Sequence, residues 1–249
     1  MKKISGIILA AGKGKRMNAR EINKVVFTLG NKQMILHTVD RLTGLLINPI
    51  IVVVGHAKES VMKILDGKVV FAAQKKRLGT AHAVMCGLRK LPLGISTVLV
   101  LYGDDSAFYT EDIIKKLIKA HWVKNAALSF LTITVENPVG LGRIIRDGNG
   151  KVVGIVEEKD ATETEKSIKE INPACYVFEV SFLKKYLKKV KKSEVTGEYY
   201  LTSLIDIAIK NKEKLGAVKG GRILWRGVNT PEELKQAERL FSKFQTEYE

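Results

Sequence analysis

The chain has 249 residues, 45% of them hydrophobic, which is enough to bury a substantial core and too many for a disordered polymer. Lysine and arginine number 42 against 26 aspartates and glutamates, a formal net charge of +16 that favours phosphate-bearing small molecules, nucleic acid or anionic lipid as partners. Cys86 and Cys175 lie far apart with no Cys/His ligand spacing around either, which argues against a zinc site; two buried free thiols suit a reducing cytoplasm, the expected location.

Met1-Lys2-Lys3 followed by the apolar run 4–11 imitates a secretory signal, but the run is short, contains Ser5 and Gly6, and passes straight into Gly12-Lys13-Gly14-Lys15-Arg16. It reads instead as a first buried strand. Further Ile- and Val-rich runs, PIIVVVG, KVVFAA and STVLVLYG, alternate with helical spacing at about 33–46, 58–65 and 80–91. Strands alternating with helices imply an α/β fold with a parallel sheet and right-handed crossovers. Beyond residue 120, AALSFLTITV reads as another strand and GRIIRDGNGKVVGIVEE as a hairpin, with Gly148-Asn149-Gly150 supplying the positive dihedrals of a tight turn. EINPACYVFEV reads as one further strand that Pro173 kinks or confines to an edge.

Helices are expected near 181–190, 200–212 and 231–245, the last opening on Pro231. In SFLKKYLKKVKK (181–192), Phe182, Leu183, Tyr186, Leu187 and Val190 can form a buried stripe, leaving Lys184, Lys185, Lys188 and Lys189 in water. The lysine surplus then reads as a solvated face. With no aromatic and basic interleaving and no helix-turn-helix pattern, no nucleic-acid partner is expected. No apolar run approaches the ~20 residues of a membrane span, so no membrane partner is expected either. No hexapeptide or other repeat occurs. The chain reads as one unit with a β-rich lobe at about 135–228 between a nucleotide-type half (about 1–134) and a closing turn and helix (229–249).

Chemistry starts at LAAGKGKRM (9–17), where a buried strand ends in a glycine-rich, basic loop. Gly12 and Gly14 let the backbone turn and aim amide donors at an anion, while Lys13, Lys15 and Arg16 add charge at the carboxyl end of the strand, where open α/β sheets bind ligands. The Gly-Lys-Ser/Thr of a Walker loop is missing, and Met17 stands where a dinucleotide fingerprint needs its third glycine. VLVLYGDDSAF delivers Asp104 and Asp105 to another strand end, where one carboxylate can hold magnesium beside phosphate oxygens. Adjacent residues on an extended chain point oppositely, so only one of the pair should reach the metal. In GRILWRGVNTPEEL, Asn229 sits just before a helix start and is open to a capping role as well as a functional one. His37, His56, His82 and His121 share no spacing and read as structural.

LAAGKGKRM, Q-x-x-x-LGTAHA (74–83), LYGD, GRIIRDGNGKVVGIVEEKDAT, EIN, GEYYLTSLI and GVNT occur in this order. Together they resemble the uridylyltransferase (pyrophosphorylase) domain of bacterial N-acetylglucosamine-1-phosphate uridylyltransferases, within the sugar nucleotidyltransferase superfamily, over about residues 4–240. The resemblance implies a Rossmann-like three-layer α/β/α sandwich with a mainly parallel sheet and a small β-rich sugar lobe. It implies magnesium-dependent formation of UDP-N-acetylglucosamine, or a close UDP-sugar, and pyrophosphate from UTP and a sugar 1-phosphate. Arg16 and Lys24 match the basic residues that grip the triphosphate and the transferring phosphate. Leu9, Ala10, Gly12 and Gly14 fall on the nucleotide-binding loop. Gln74 matches the residue that hydrogen-bonds the uracil edge, with Gly79 and Thr80 in the same pocket. Asp104 and Asn229 match the two magnesium ligands, and Gly142, Glu157, Asn172 and Tyr199 the sugar-binding positions.

The chain departs from that pattern at Lys15, where a small hydroxyl residue is usual; at Asn23, where proline often precedes the lysine; at Asp105, where a small or apolar residue is usual; and at Pro173-Ala174, where the family reads Thr-Gly. These leave other acceptors open, glucose 1-phosphate or a non-sugar phosphate among them, as well as dTTP or CTP in place of UTP. A non-catalytic regulatory homologue is a third possibility, opposed by the joint presence of Arg16, Lys24, Asp104 and Asn229. The bifunctional members also carry an acetyltransferase β-helix, whose repeats this sequence lacks, so acetyl transfer is not expected of it.

Overall fold

Ile- and Val-rich segments that bury both faces need a helical layer on each side, and the computed structural model, which describes residues 3–17, 21–221 and 223–248, has that arrangement. In chain order the elements are β1 (Ile4–Ala10), β2 (Thr28–Leu29), β3 (Lys32–Gln33), α1 (Met34–Gly44), β4 (Ile50–Val54), α2 (Lys58–Leu65), β5 (Val70–Ala73), α3 (Thr80–Leu88), β6 (Thr97–Tyr102), α4 (Glu111–Val123), β7 (Leu128–Thr134), β8 (Gly142–Arg146), β9 (Val152–Val156), α5 (Glu163–Lys166), β10 (Glu170–Asn172), β11 (Tyr176–Glu179), α6 (Val180–Tyr186), α7 (Ser203–Lys210), β12 (Leu215–Lys219) and α8 (Pro231–Tyr248). Short 3-10 turns lie at Lys15–Met17 and Lys24–Val26.

The main sheet runs β5-β4-β1-β6-β11-β7-β10-β8-β9, with β12 also on β7. Its first four strands are parallel. β11 then runs antiparallel to both β6 and β7, and β10, β8 and β9 continue as antiparallel neighbours. Successive side chains of β1 go to opposite cores: Ile8 and Ala10 join α1, α2, α4 and α8 on one face, while Ile7 and Leu9 join α3, α6 and α7 on the other. That alternation makes the molecule a three-layer α/β sandwich.

EINPACYVFEV forms two strands where the sequence suggested one. Pro173 has no N–H for the ladder, Ala174 takes φ 61°, and the chain breaks between β10 and β11. The break sends β10 to β8 and leaves β11 in the central sheet. At the β8–β9 turn, positive φ falls on Gly150 (76°) and not on Gly148 or Asn149. Asp147 closes the loop instead, its Oδ1 accepting from the Asn149 and Lys151 amides at 3.0 and 2.9 Å.

Four features were not anticipated: the β2–β3 hairpin, α4, α5 and β12. For α4 the signals were present. Thr110 caps it by accepting from the Ile113 amide, Glu111 and Asp112 occupy the first turn, and Ile114, Leu117, Ile118 and His121 are buried at helical spacing. The lysine-rich segment folds as α6 and a further 3-10 turn, with all five apolar positions of the stripe buried and Lys184, Lys185, Lys188 and Lys189 exposed. Cys86 and Cys175 are buried free thiols. Among the described residues no helix is long and apolar enough to cross a membrane.

Candidate active site

The parallel strands β1, β4, β5 and β6 deliver their carboxyl ends to one rim, which is where the glycine loop, Gln74 and Asp104 emerge. Leu9 and Ala10 are the buried end of β1. Gly12 is exposed with open space about its Cα, and Gly14 adopts φ 57°, its carbonyl accepting from the Met17 amide at 2.9 Å to close the Lys15–Met17 turn. Arg16 is exposed and lines the cleft below.

Lys24 is carried by the second 3-10 turn, and Asn23 holds that turn in place. Asn23 is 1% exposed, and its Nδ2 donates to the carbonyls of Ala10 and His56 at 2.9 and 2.8 Å, with a longer contact to Gly12 O at 3.4 Å. Its Oδ1 caps the turn by accepting from the Val25 amide at 3.2 Å, and its own amide donates to Ser60 Oγ at 3.0 Å. A proline here could make neither the amide nor the side-chain bonds. The departure from the family's Pro-Lys is thus a polar brace that ties the lysine to the end of β1 and the loop.

From that position the Lys24 ammonium meets two distant residues. It ion-pairs with Asp104, both side chains being about 15% exposed, and donates to Asn229 Oδ1 at 2.7 Å across 205 positions of sequence. Asn229 therefore faces the loop, while Glu233 Oε2 accepts from its backbone amide at 2.6 Å and Thr230 Oγ1 accepts from the Glu233 amide, so Thr230 and Glu233 supply the start of α8. Asp105 turns inward. Its Oδ1 is buried with no hydrogen-bond partner. Burial pushes its carboxyl well above the usual carboxylate range, the Asp104 charge adds to that rise, and Lys24 opposes it.

One cleft gathers Arg16, Asp104, Asn229, Gly142, Glu157 and Asn172, together with Tyr102, Tyr176, Thr202 and Trp225. Gly142 pairs with Asn172 across β8 and β10. Glu157 is mostly buried, and Thr202 Oγ1 donates to its Oε1 at 2.6 Å; burial raises its pKa, only partly offset by that bond. Asn172 is partly engaged by its own chain, its Nδ2 donating to Tyr176 Oη and its Oδ1 accepting from the Ala174 amide at 3.0 Å. Tyr109 Oη donates to Pro173 O, so Pro173-Ala174 is anchored as part of the cleft floor.

Gln74, Gly79, Thr80 and Tyr199 stand outside that cleft and form a second cluster. The Gln74 backbone N–H donates to Val54 O at 2.8 Å, fixing the residue just beyond β5. Gly79 takes φ 109°, and a Cβ there would lie 2.5 Å from Tyr199 O. Ala81 N–H donates to Tyr199 O at 2.9 Å, Tyr199 N–H to Leu78 O at 2.8 Å, and Leu201 N–H to Thr80 Oγ1 at 2.8 Å. Tyr199 thus contributes its backbone to this clasp, and its ring lies under the Lys192 ammonium. Thr80 hydrogen-bonds Tyr102, a residue of the first cleft, so the two clusters are neighbours. In the sequence Asn23 stood out only as a departure from Pro-Lys; its bracing role, Thr202 and the clasp were not anticipated. The Lys15 side chain lies outside the described residues.

The nucleotidyl transferase family model matches residues 5–243. The chain is 46% identical over 216 residues to the bifunctional protein GlmU of Caldicellulosiruptor saccharolyticus, covering 86% of this chain and 46% of that protein. It is 40% identical over 243 residues to the same-named protein of Caldanaerobacter subterraneus subsp. tengcongensis, covering 98% of this chain and 52% of that one. The chain therefore spans about half the length of these curated relatives. Among solved structures, a Bacillus anthracis protein assigned as a glucose-1-phosphate thymidylyltransferase superposes with a TM-score of 0.79 at 23% identity, over 95% of this chain and 94% of that one, a likeness of fold. A family match over nearly the whole length, on a sheet whose rim carries the glycine loop, Lys24, Asp104 and Asn229, makes this chain a member of the nucleotidyl transferase family.

Proposed function

We propose that the chain transfers a uridylyl group from UTP to a sugar 1-phosphate, N-acetylglucosamine 1-phosphate first, releasing pyrophosphate. The observation that carries this reading is the meeting of Asp104, Lys24 and Asn229 at one point of a cleft that also holds Glu157, Gly142 and Asn172. The sequence likeness to the GlmU proteins, together with the ordered motifs that resemble the uridylyltransferase domain, supports the same reading.

The residues fit a magnesium ion. The Asp104 carboxylate and the Asn229 carbonyl oxygen are two hard donors converging on a cationic position, which Lys24 Nζ takes here. Magnesium commonly takes only one or two protein oxygens and completes its shell with phosphate and water. No group of three or more His, Cys, Asp or Glu side chains that could hold a metal ion converges among the described residues. Bound between Asp104 and Asn229, the ion would neutralise charge on the phosphates.

This chain's own residues do the rest. A phosphate oxygen of the acceptor attacks the α-phosphorus, the bond to the bridging oxygen breaks, and its electron pair leaves with pyrophosphate. No covalent enzyme nucleophile is required, because the acceptor supplies the attacking oxygen. Lys24, released from Asp104 and Asn229, and Arg16 from the rim offer positive charge to the transferring and leaving phosphates. Glu157 accepts from a sugar hydroxyl or acetamido N–H, held in place by Thr202.

Glu157 gives a prediction with opposite signs on two axes. Burial raises its folded pKa, so its ionised form weakens the fold as pH rises from the ordinary carboxylate range through that raised pKa. Glu157→Gln keeps an oxygen to accept from Thr202 and removes the buried charge. Its melting temperature at pH 8 should exceed that of the parent by about 2–4 °C, while KM for the sugar phosphate rises roughly tenfold. A melting temperature that falls with KM unchanged contradicts both halves.

The class of reaction is tested by a panel of sugar 1-phosphates with UTP and magnesium, followed by pyrophosphate release. N-acetylglucosamine 1-phosphate should give the highest kcat/KM. A preference for glucose 1-phosphate would assign the Pro173-Ala174 floor to a different acceptor, and no release with any member would remove the uridylyl-transfer reading.

A further inference from the structure

Gln74 is 4% exposed, and its side-chain Nε2 lies 3.0 Å from Gly79 O and 3.0 Å from His82 Nδ1. A backbone carbonyl only accepts, so the Gln74 amide must turn its NH2 group this way. His82 Nδ1 then accepts the second hydrogen, a tautomer assigned from the network that places the imidazole proton on Nε2. His82 Nε2 lies 3.9 Å from Cys86 Sγ, at the limit of a weak contact one turn along α3. Burial, with Arg89 nearby, lowers the His82 pKa, which favours the neutral ring this bond requires.

With both Nε2 hydrogens engaged inside the protein, Oε1 is the group that Gln74 has left to offer. A free carboxamide presents a donor and an acceptor and can exchange them by turning over. Gly79 O opposes that exchange because it can only accept, and His82 Nδ1, in the tautomer that accepts, opposes it further; turning the amide over would set Oε1 against the carbonyl and require the imidazole to change tautomer as well. An acceptor of fixed place pairs with the imide N–H of uracil or thymine and opposes cytosine, whose corresponding ring nitrogen is itself an acceptor.

We propose that His82 is a positioning residue that locks the Gln74 carboxamide with Oε1 outward, and so sets preference for an imide base. The inference rests on the proposed use of UTP and deepens it. It adds a role for a histidine that the sequence alone assigned to structure.

The test is calorimetric titration of UTP and CTP, with magnesium and without an acceptor, into the parent protein, His82→Leu, His82→Asn and Gln74→Ala. The parent should bind UTP more tightly than CTP. His82→Leu should lower the UTP:CTP affinity ratio roughly tenfold, the scale of one hydrogen-bond discrimination. His82→Asn, whose Oδ1 can stand where Nδ1 stood, should restore the ratio to within about threefold of the parent. A ratio compares two ligands on one folded population, so partial unfolding does not mimic the loss. If Gln74→Ala lowers the ratio and His82→Leu does not, the role of His82 is overturned and base reading by Gln74 survives. If Gln74→Ala leaves the ratio unchanged, or the parent shows no UTP preference, base reading by Gln74 falls and the inference falls with it.

Discussion

Asp104→Asn should lower kcat by roughly 10³-fold at saturating magnesium, about 4 kcal/mol of transition-state stabilisation, while the protein stays folded. The carboxylate is one of the two oxygen donors that meet at the cationic position, and the other, Asn229, is neutral. Replacing it removes the only formal negative charge of the pair and with it most of the attraction for a divalent ion. Stability should change little, because two effects oppose. The Asp104–Lys24 ion pair is lost. The buried Asp105 carboxyl, which Asp104 forces further from ionisation, is relieved. The melting temperature should stay within about 3 °C of the parent. Turnover by pyrophosphate release and thermal unfolding check the two halves. Near-parental turnover would show that the metal is held elsewhere, and a collapsed fold would show that the Lys24 pair is chiefly structural.

Gly79→Ala should be destabilising by about 3–5 kcal/mol, a fall in melting temperature of roughly 6–20 °C for a chain of this size. A φ of 109° already disfavours any side chain, and the new Cβ would lie 2.5 Å from Tyr199 O and 2.6 Å from Tyr199 N. Both are backbone atoms in bonds to Ala81 N–H and Leu78 O, so no side-chain rotation can relieve the overlap. The 199–201 segment must move away and the clasp on the Gln74 loop must open. UTP affinity should therefore fall more than tenfold in whatever fraction remains folded. Differential scanning calorimetry measures the first effect and nucleotide titration the second. A variant as stable as the parent would mean that the clasp gives way at little cost.

Much of this protein was legible in the residues themselves. Alternating Ile/Val runs and helical spacings determine an α/β sandwich, because burial on two faces is written in local side-chain type. The buried stripe from Phe182 to Val190 was readable for the same reason: a period of 3.6 places those five on one face whatever they pack against. The glycine loop and the ordered motifs named the family. What the sequence could not contain is which groups meet. Lys24 meets both Asp104 and Asn229, the latter 205 positions from it in sequence. Asn23 braces backbone carbonyls of two separate segments, Ala10 and Gly12 on one and His56 on the other. β10 and β11 part at Pro173, and His82 turns toward Gln74. Each of these depends on where the chain returns in space, and a hydrogen bond or ion pair reads only distance and direction between atoms. Local pattern therefore sets the elements and the residue types at the rim, while tertiary packing alone selects each group's partner.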